Sequence, residues 1–213
     1  MIGKKLKHLF QLKEVQTIHN LVETDLFSFE PKINAQYTFI HVSSLTEQKN
    51  ISGILAAFTQ LAIKNKNWKL NLVGPANEAL RQKIAESGLQ QNVRISGELA
   101  YEEVAEQMKA ADAFVLFSRH ENFPCVVVEA LCCGLPVVAS DVAGIGEAVN
   151  KSNGLLVPEG DSNALCTALE HMLGQHFRYD RRKIADEASE KYSVKTIGSQ
   201  IFNLYKRHFG AVQ

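Results

Sequence analysis

The sequence predicts an α/β protein built on one Rossmann-like, doubly wound parallel sheet with a helical C-terminal tail. From residue 37 onward, short β-rich runs recur about every twenty residues and alternate with helical patterns. The runs are apolar without regular alternation, as strands covered on both faces are. The chain has 213 residues, of which 46% are hydrophobic and 22% charged, so it is long enough to bury such a core. Alternating strands and helices then favour a parallel sheet with right-handed crossovers.

The predicted strands share β-branched or aromatic residues and end at a turn signal. They comprise residues 37–43, 69–73, 92–97, 113–117, 136–140 and 154–158. Each run is short, as expected of strands in the middle of a parallel sheet.

The predicted helices lie between these strands and after the last one. They cover residues 51–65, 78–87, 163–173, 178–190 and 193–209, and a further helix follows Pro124. Asp161 is placed to cap the helix that starts at 163, and Gly88 and Gly174 are placed to end helices. The last helix carries an apolar stripe, which either packs on the domain's own sheet or docks on something outside the chain. The stripe consists of Val194, Ile197, Ile201, Leu204, Tyr205 and Phe209.

These patterns divide the chain into three parts. Residues 1–36 have few regular signals and are interpreted as a linker or incoming segment, residues 37–190 as the α/β domain, and residues 191–213 as a C-terminal helix. Basic and acidic residues balance at 23 each, so net charge does not favour a nucleic-acid partner. No apolar run is long enough to span a membrane.

The four cysteines predict neither disulfides nor a metal site. None of them forms a C-x-x-C pair, and no His or Cys pair has the spacing of zinc ligands. They are interpreted as small buried hydrophobes in a reducing, cytoplasmic compartment. They are Cys125, Cys132, Cys133 and Cys166.

The stretch that follows the fourth predicted strand contains two acids, Glu121 and Glu129, eight positions apart. Apolar residues surround Glu129 in sequence, so a helix here is buried and its carboxylate needs hydrogen-bond donors from the protein or from a ligand. Glu121 precedes Pro124 and belongs to the loop before that helix. The N-terminus of a helix offers free amides and a positive dipole end, which suit phosphate. Together these features suggest a sugar-phosphate ligand, although a surface Glu121 and a structurally paired Glu129 explain the spacing equally well.

At these residues the chain resembles the C-terminal half of family 4 retaining glycosyltransferases, the glycosyl transferases group 1, which have the GT-B fold. The resemblance covers nearly the whole chain. It rests on Glu121, Phe123 and Glu129-Ala130-Leu131, followed by Gly134, Pro136-Val137-Val138 and Gly154-Leu155-Leu156-Val157. The segment from Ile18 to Phe27 also resembles the family's connection between two domains.

The resemblance implies a nucleotide-sugar substrate (a UDP-, GDP- or ADP-sugar) and neither a metal nor another cofactor. Glu121 would contact the transferred sugar and Glu129 the ribose, while Lys49 would neutralise phosphate charge as the leaving group departs. Glu121 and Lys49 are thus the candidate catalytic residues. The remaining candidates for donor binding are Phe123, Cys125 and Val126 at the helix start, Ser44, and Gly97 and Leu99 at the base-binding edge.

Three departures from the family pattern affect the phosphate site. Ser44 occupies the position where an Arg is common, and a neutral hydroxyl cannot replace a bidentate guanidinium. Asn122 and Pro124 stand where glycines are common, and Pro124 has no N–H to donate. Elsewhere, Gly144-Ile145-Gly146-Glu147 opens a helix that could face the donor, although a simple first-turn Glu147 on the helix dipole is favoured over that role.

The expected activity is glycosyl transfer with retention of configuration, in surface-polysaccharide or lipopolysaccharide assembly in bacteria. An acceptor glycan or lipid-linked glycan would bind an N-terminal domain of about 150 to 200 residues expected upstream of Met1. The isolated chain should therefore bind donor without turnover, and the full protein would associate peripherally with a membrane. The alternatives are a non-catalytic sugar-nucleotide-binding or interaction module, which Ser44 favours, and a glycoside hydrolase using both acids.

Overall fold

The computed structural model describes residues 7–12, 15–31 and 36–210. These form one six-stranded sheet in which every pair of neighbouring strands is parallel. The strand order is β3-β2-β1-β4-β5-β6. The strands are β1 (Tyr37–Val42), β2 (Trp68–Val73), β3 (Val93–Gly97), β4 (Ala113–Leu116), β5 (Val137–Ser140) and β6 (Gly154–Val157).

Helices cover both faces of this sheet, so the predicted α/β fold class is confirmed. They are α1 (Ile51–Lys64), α2 (Glu78–Glu86), α3 (Tyr101–Lys109), α4 (Cys125–Cys132), α5 (Ser162–Gln175), α6 (Arg181–Tyr192) and α7 (Val194–Phe209). All six predicted strands are present, and their observed bounds differ from the predicted ones by no more than a residue at either end.

The helices differ from their predicted bounds in ways that local signals explain. The Asp161 carboxylate caps α5 as predicted, because it accepts the Asn163 and Ala164 amides. However, α5 runs past Gly174, so this glycine does not end it. No prediction from the sequence covers α3, because its polar, charged composition leaves few residues to bury.

The helix predicted after Gly144 is present, although it is a single 3₁₀ turn, Ile145–Glu147. The expectation that all four cysteines are buried is wrong. Of the cysteines, Cys132, Cys133 and Cys166 are buried, but Cys125 is exposed. Cys125 is the first residue of α4, and this end of the helix faces out of the core.

The segment of residues 15–31, predicted to be a linker, packs on the domain. Val22 and Phe27 are fully buried in the main core. The Val22 amide donates to the Tyr192 carbonyl, and Val22 forms a parallel bridge with Ser193. The Arg181 guanidinium lies over the Phe29 ring, with its Cζ atom 5.6 Å from the ring centroid.

Helix α7 does not bury its apolar stripe on the sheet. Within the described residues, Ile197 is buried at the start of the helix, where α7 contacts α6, whereas Val194, Ile201 and Tyr205 are exposed. Residues 211–213, the end of the predicted C-terminal part, lie outside the described residues. No described helix combines the length and apolar character needed to cross a bilayer.

Arg181 ties three parts of the chain together. Its Nε donates to the Gly134 carbonyl, another guanidinium nitrogen donates to the Ala111 carbonyl, and a third lies 3.3 Å from a carboxylate oxygen of Asp112. Gly134 follows α4, whereas Ala111 and Asp112 precede β4. The Arg181 side chain therefore fixes the positions of α4 and β4 relative to α6.

We expect the substitution Arg181→Met to lower the free energy of unfolding by about 2 kcal/mol, because two carbonyls and a carboxylate lose a charged donor. Urea denaturation measures this. The neighbouring Arg182→Met is the control, because Arg182 is exposed and its guanidinium also lies over Phe29. An equal decrease in the free energy of unfolding of both variants would contradict this role of Arg181.

Candidate functional site

The candidate site lies where the order of the strands reverses. From β1 the chain proceeds to β2 and β3 on one side, while β4 leads to β5 and β6 on the other. In a sheet of this kind the loops after the two adjoining strands diverge and leave a crevice at the carboxyl ends. The loops after β1 and β4 carry Lys49 and Glu121.

Lys49 and Glu121 form a close ion pair at this position. The Lys49 ammonium donates to Oε1 of Glu121 at 2.6 Å, and the side chains are only 19% and 9% exposed. Glu121 is therefore buried, so its interpretation as an ordinary surface residue is wrong. The family resemblance predicts that both residues contact a donor, but local sequence patterns carry no sign that they pair.

Hydrogen bonds between main-chain and side-chain groups hold the two loops together. The Arg119 amide donates to the Gln48 carbonyl at 2.8 Å, and the Gln48 side chain donates to the His120 carbonyl at 2.9 Å. These bonds flank the ion pair on both loops. They restrict the separation of Lys49 from Glu121 more firmly than the pair alone would.

His41 supports the loop after β1 from its buried side. It is fully buried, and its Nδ1 lies 2.8 Å from the Val115 carbonyl, which can only accept, so Nδ1 carries the proton. Its Nε2 lies 2.7 Å from the Ser43 hydroxyl, which in turn accepts the Leu45 amide. Burial lowers the pKa of His41 to about 4, so the ring is neutral. His41 is thus a structural residue that orients the backbone leading to Lys49.

The start of α4 contains three of the candidate donor-binding residues, Phe123, Cys125 and Val126. Pro124 stands at the N-cap position and provides no side-chain cap. The Asn20 side chain donates to the Phe123 carbonyl at 3.3 Å and contacts the Cys125 sulfur at 3.1 Å. The helix start therefore presents backbone amides beside a polar side chain from the segment of residues 15–31.

Glu129 lies within α4, is 8% exposed, and accepts a hydrogen bond from the Tyr101 hydroxyl at 2.9 Å. Burial raises the pKa of Glu129, and the bond from Tyr101 opposes that shift. Tyr101 is the first residue of α3, a helix that the sequence did not single out. Sequence reasoning therefore missed Tyr101. Its position just after the predicted base-binding edge was the one available signal.

The remaining candidates lie on the loops after β1 and β3. Ser44 is exposed, and its hydroxyl lies 3.4 Å from that of Thr46. Gly97 ends β3, and its carbonyl accepts the Gly74 amide, while Leu99 packs against the core from the loop that follows. Parallel strands end at one edge, so these loops and the Lys49–Glu121 pair share the same edge of the sheet.

Gly144 allows the loop of Glu121 to pass close to the turn after β5. Its φ is +86°, and a Cβ at this position would lie 1.2 Å from the Asn122 carbonyl oxygen. The nearby Glu147 carboxylate contacts the His19 ring at 3.3 Å. Gly144 therefore supports the site through the backbone next to Glu121.

The fold is that of GT-B glycosyltransferases. Sucrose-phosphate synthase from Thermosynechococcus elongatus superposes with a TM-score of 0.84 at 23% identity, over 97% of this chain and 56% of that one. HepE from Anabaena in complex with UDP gives a TM-score of 0.80 at 26% identity, over 90% and 57% of the two chains. The architecture fits the C-terminal domain of such an enzyme.

The chain belongs to the glycosyl transferases group 1 family, whose model matches residues 23–191. Among similar sequences, the α-D-kanosaminyltransferase of Streptomyces kanamyceticus is 25% identical over an alignment of 174 positions that covers 78% of this chain and 45% of that enzyme. The chain thus spans about half the length of the proteins that it matches.

We expect Gly144→Ala to destabilise the protein by about 2 kcal/mol, because alanine is strained at positive φ and its methyl group overlaps the Asn122 carbonyl. Gly146→Ala is the matched control. Gly146 is exposed, and the nearest atom to an added Cβ lies 3.8 Å away. Urea denaturation measures the free energy of unfolding of the two variants. An equal decrease in both would show that the close approach of Gly144 to Asn122 does not contribute to stability.

We expect His41 to remain neutral until the pH approaches 4, whereas the unfolded chain binds this proton near pH 6.5. The contribution of His41 to stability is therefore complete above pH 6.5 and is lost as the pH falls towards 4, by an amount on the order of 3 kcal/mol. Imidazole ¹⁵N chemical shifts measured against pH follow the ring directly. Protonation of His41 near pH 6.5 in the folded protein would contradict this assignment.

Proposed function

We propose that this chain is the donor-binding half of a retaining glycosyltransferase, which holds a nucleotide-sugar across the carboxyl ends of β1 and β4. The observation that carries the proposal is the buried Lys49–Glu121 pair at the strand reversal, next to the start of α4. HepE, at 26% identity, has been crystallised with UDP and with UDP-glucose, which supports this class of ligand.

Each charged group suits one part of such a donor. Glu129 is buried and accepts one hydrogen bond from the described residues, so it has capacity for the ribose hydroxyls. Glu121 would accept hydrogen bonds from the sugar that is transferred. The amides of Cys125 and Val126, at the positive end of α4, would hold phosphate oxygens.

Lys49 would supply the positive charge that the leaving group needs. As the bond between the anomeric carbon and the diphosphate breaks, negative charge develops on the diphosphate oxygens. The Lys49 ammonium has three N–H groups and gives one to Glu121, so the others can turn towards the diphosphate. We propose that transfer occurs on the face from which the diphosphate leaves, with retention of configuration and without a bound metal.

The acceptor is proposed to bind a second domain outside this chain. One relative, AmsK of Erwinia amylovora, is a glycosyltransferase of amylovoran biosynthesis, which supports a role in glycan assembly. We propose a bacterial cytoplasmic enzyme of surface-polysaccharide or lipopolysaccharide synthesis, acting at the membrane face on a glycan or lipid-linked glycan. On this proposal the chain alone binds donor without turnover.

One observation favours a second candidate, a nucleotide-sugar-binding module without catalysis. Ser44 presents a neutral hydroxyl near Thr46 where family members commonly have an Arg, so one cation is missing from the phosphate site. Both candidates require donor binding. They differ in whether transfer occurs once the acceptor domain is present.

We expect one of UDP-, GDP- and ADP-glucose to bind the chain and to raise its Tm. Glu129→Gln and Lys49→Met should each weaken binding by about tenfold or more, because each removes a hydrogen bond to a charged group. Calorimetric titration measures the affinity and thermal shift supports it. A chain that binds none of the three at millimolar concentration would refute the donor site.

The controls use a second lysine–glutamate pair of the same length. Lys64 and Glu170 also lie 2.6 Å apart, but this pair joins α1 to α5 and the Lys64 side chain is 65% exposed. Lys64→Met and Glu170→Gln should leave nucleotide affinity unchanged. A similar loss in the control variants would mean that the effect at Lys49 and Glu129 reflects general destabilisation.

A further inference from the structure

We propose that Tyr101 is a positioning residue for Glu129, whose hydroxyl holds one carboxylate oxygen so that the other faces the ribose of the bound nucleotide. This inference rests on the proposed function. It adds a residue that the family pattern in the sequence did not supply, from a helix that lies outside the segment containing both acids.

The geometry places the Tyr101 hydroxyl firmly on Glu129. Its oxygen lies 2.9 Å from Oε1 of Glu129. The Tyr101 ring packs against the fully buried Phe27 ring, with centroids 5.0 Å apart and an interplanar angle of 60°. Because α3 begins where the loop after β3 ends, the ring enters the site from the side of the predicted base-binding edge. Phe27 thus supports one side of the Tyr101 ring, while the residue itself remains 44% exposed.

Glu129 receives no other hydrogen bond from residues 7–12, 15–31 and 36–210. Tyr101 occupies Oε1, and no described donor lies on Oε2. A buried carboxylate is stable only when hydrogen-bond donors contact it. A ligand hydroxyl that donates to Oε2 would therefore contribute more to the binding free energy than one that donates to Oε1. A single fixed donor also restricts rotation of the carboxyl group, which lowers the entropic cost of binding.

Burial and the hydrogen bond from Tyr101 act in opposite directions on the charge of Glu129, whereas burial and the Glu129 charge both keep the proton on Tyr101. Burial raises the pKa of Glu129, and the hydrogen bond from Tyr101 opposes that rise. Burial, with the Glu129 charge next in size, also raises the pKa of Tyr101. The facing thiols of Cys132 and Cys133 on α4 are neutral, since burial raises the pKa of each to about 12. Glu23, from the segment of residues 15–31, adds negative charge near Tyr101.

A purely structural role for Tyr101 predicts a different outcome. A hydroxyl that only satisfies a buried acid affects the stability of the fold, and its loss leaves nucleotide affinity and the pH dependence of that affinity unchanged. A positioning role changes both, and it does so only while Glu129 carries a carboxylate.

The test compares Tyr101→Phe, Glu129→Gln and the double variant by calorimetric titration with UDP, GDP and ADP between pH 5.5 and 8. Tyr101→Phe keeps the ring on Phe27, and we expect it to bind the preferred nucleotide about tenfold more weakly at pH 7. The pH below which binding is lost should move upward, because Glu129 protonates more readily without the hydroxyl. In the Glu129→Gln background, the same change should have little further effect.

Tyr37→Phe is the matched control. The Tyr37 hydroxyl contacts the Asp112 carbonyl at the opposite edge of the sheet, so its removal should not alter affinity. If Tyr101→Phe binds nucleotide as the wild type does, with the same pH profile, or loses as much affinity in the Glu129→Gln background, the positioning role is overturned. A wild-type chain that binds no nucleotide overturns the proposed function as well.

Discussion

Parallel pairing of β1 with β4 brings together two loops that are distant in the chain, and the candidate site depends on that pairing. Lys49 and Glu121 are separated by 72 positions, yet their side chains meet at 2.6 Å because their strands lie side by side. After β1 the chain continues to one side of the sheet, and after β4 it continues to the other side. In a sheet with this strand order, only this point of the carboxyl edge has such a reversal, and a crevice opens there. The loops are further joined through Gln48, so the crevice is firmly built on both sides.

Burial determines which of the titratable groups around this crevice are charged and which need a partner. His41 lies beneath the loop of Lys49 and stays neutral, since a buried imidazolium would lose its hydration. Glu121 keeps a partner in Lys49, whereas Glu129 receives one hydrogen bond from the described residues. The site therefore holds one compensated acid and one acid with remaining capacity to accept hydrogen bonds.

The segment of residues 15–31 belongs to the environment of the site, although it precedes the sheet. Asn20 contacts the start of α4, the His19 ring lies 4.6 Å from the Phe123 ring, and Phe27 supports Tyr101. The segment thus contacts groups on both sides of the candidate site. At the other terminus, α7 leaves Ile201 and Tyr205 exposed, because the helices between the strands already cover the sheet.

The sequence by itself determined the strands, most of the helices and the family. Apolar runs and capping residues such as Asp161 act over a few neighbouring positions, so they located every strand and the start of α5, although they missed α3 and placed the end of α5 too early, and the motif from Glu121 to Gly134 identified the family. Only the tertiary structure decided which groups meet. The Lys49–Glu121 pair, the bond from Tyr101 to Glu129 and the packing of residues 15–31 depend on strand order and on contacts between distant segments. Local sequence patterns do not record those contacts, because the free energy that forms them comes from burial of the whole core.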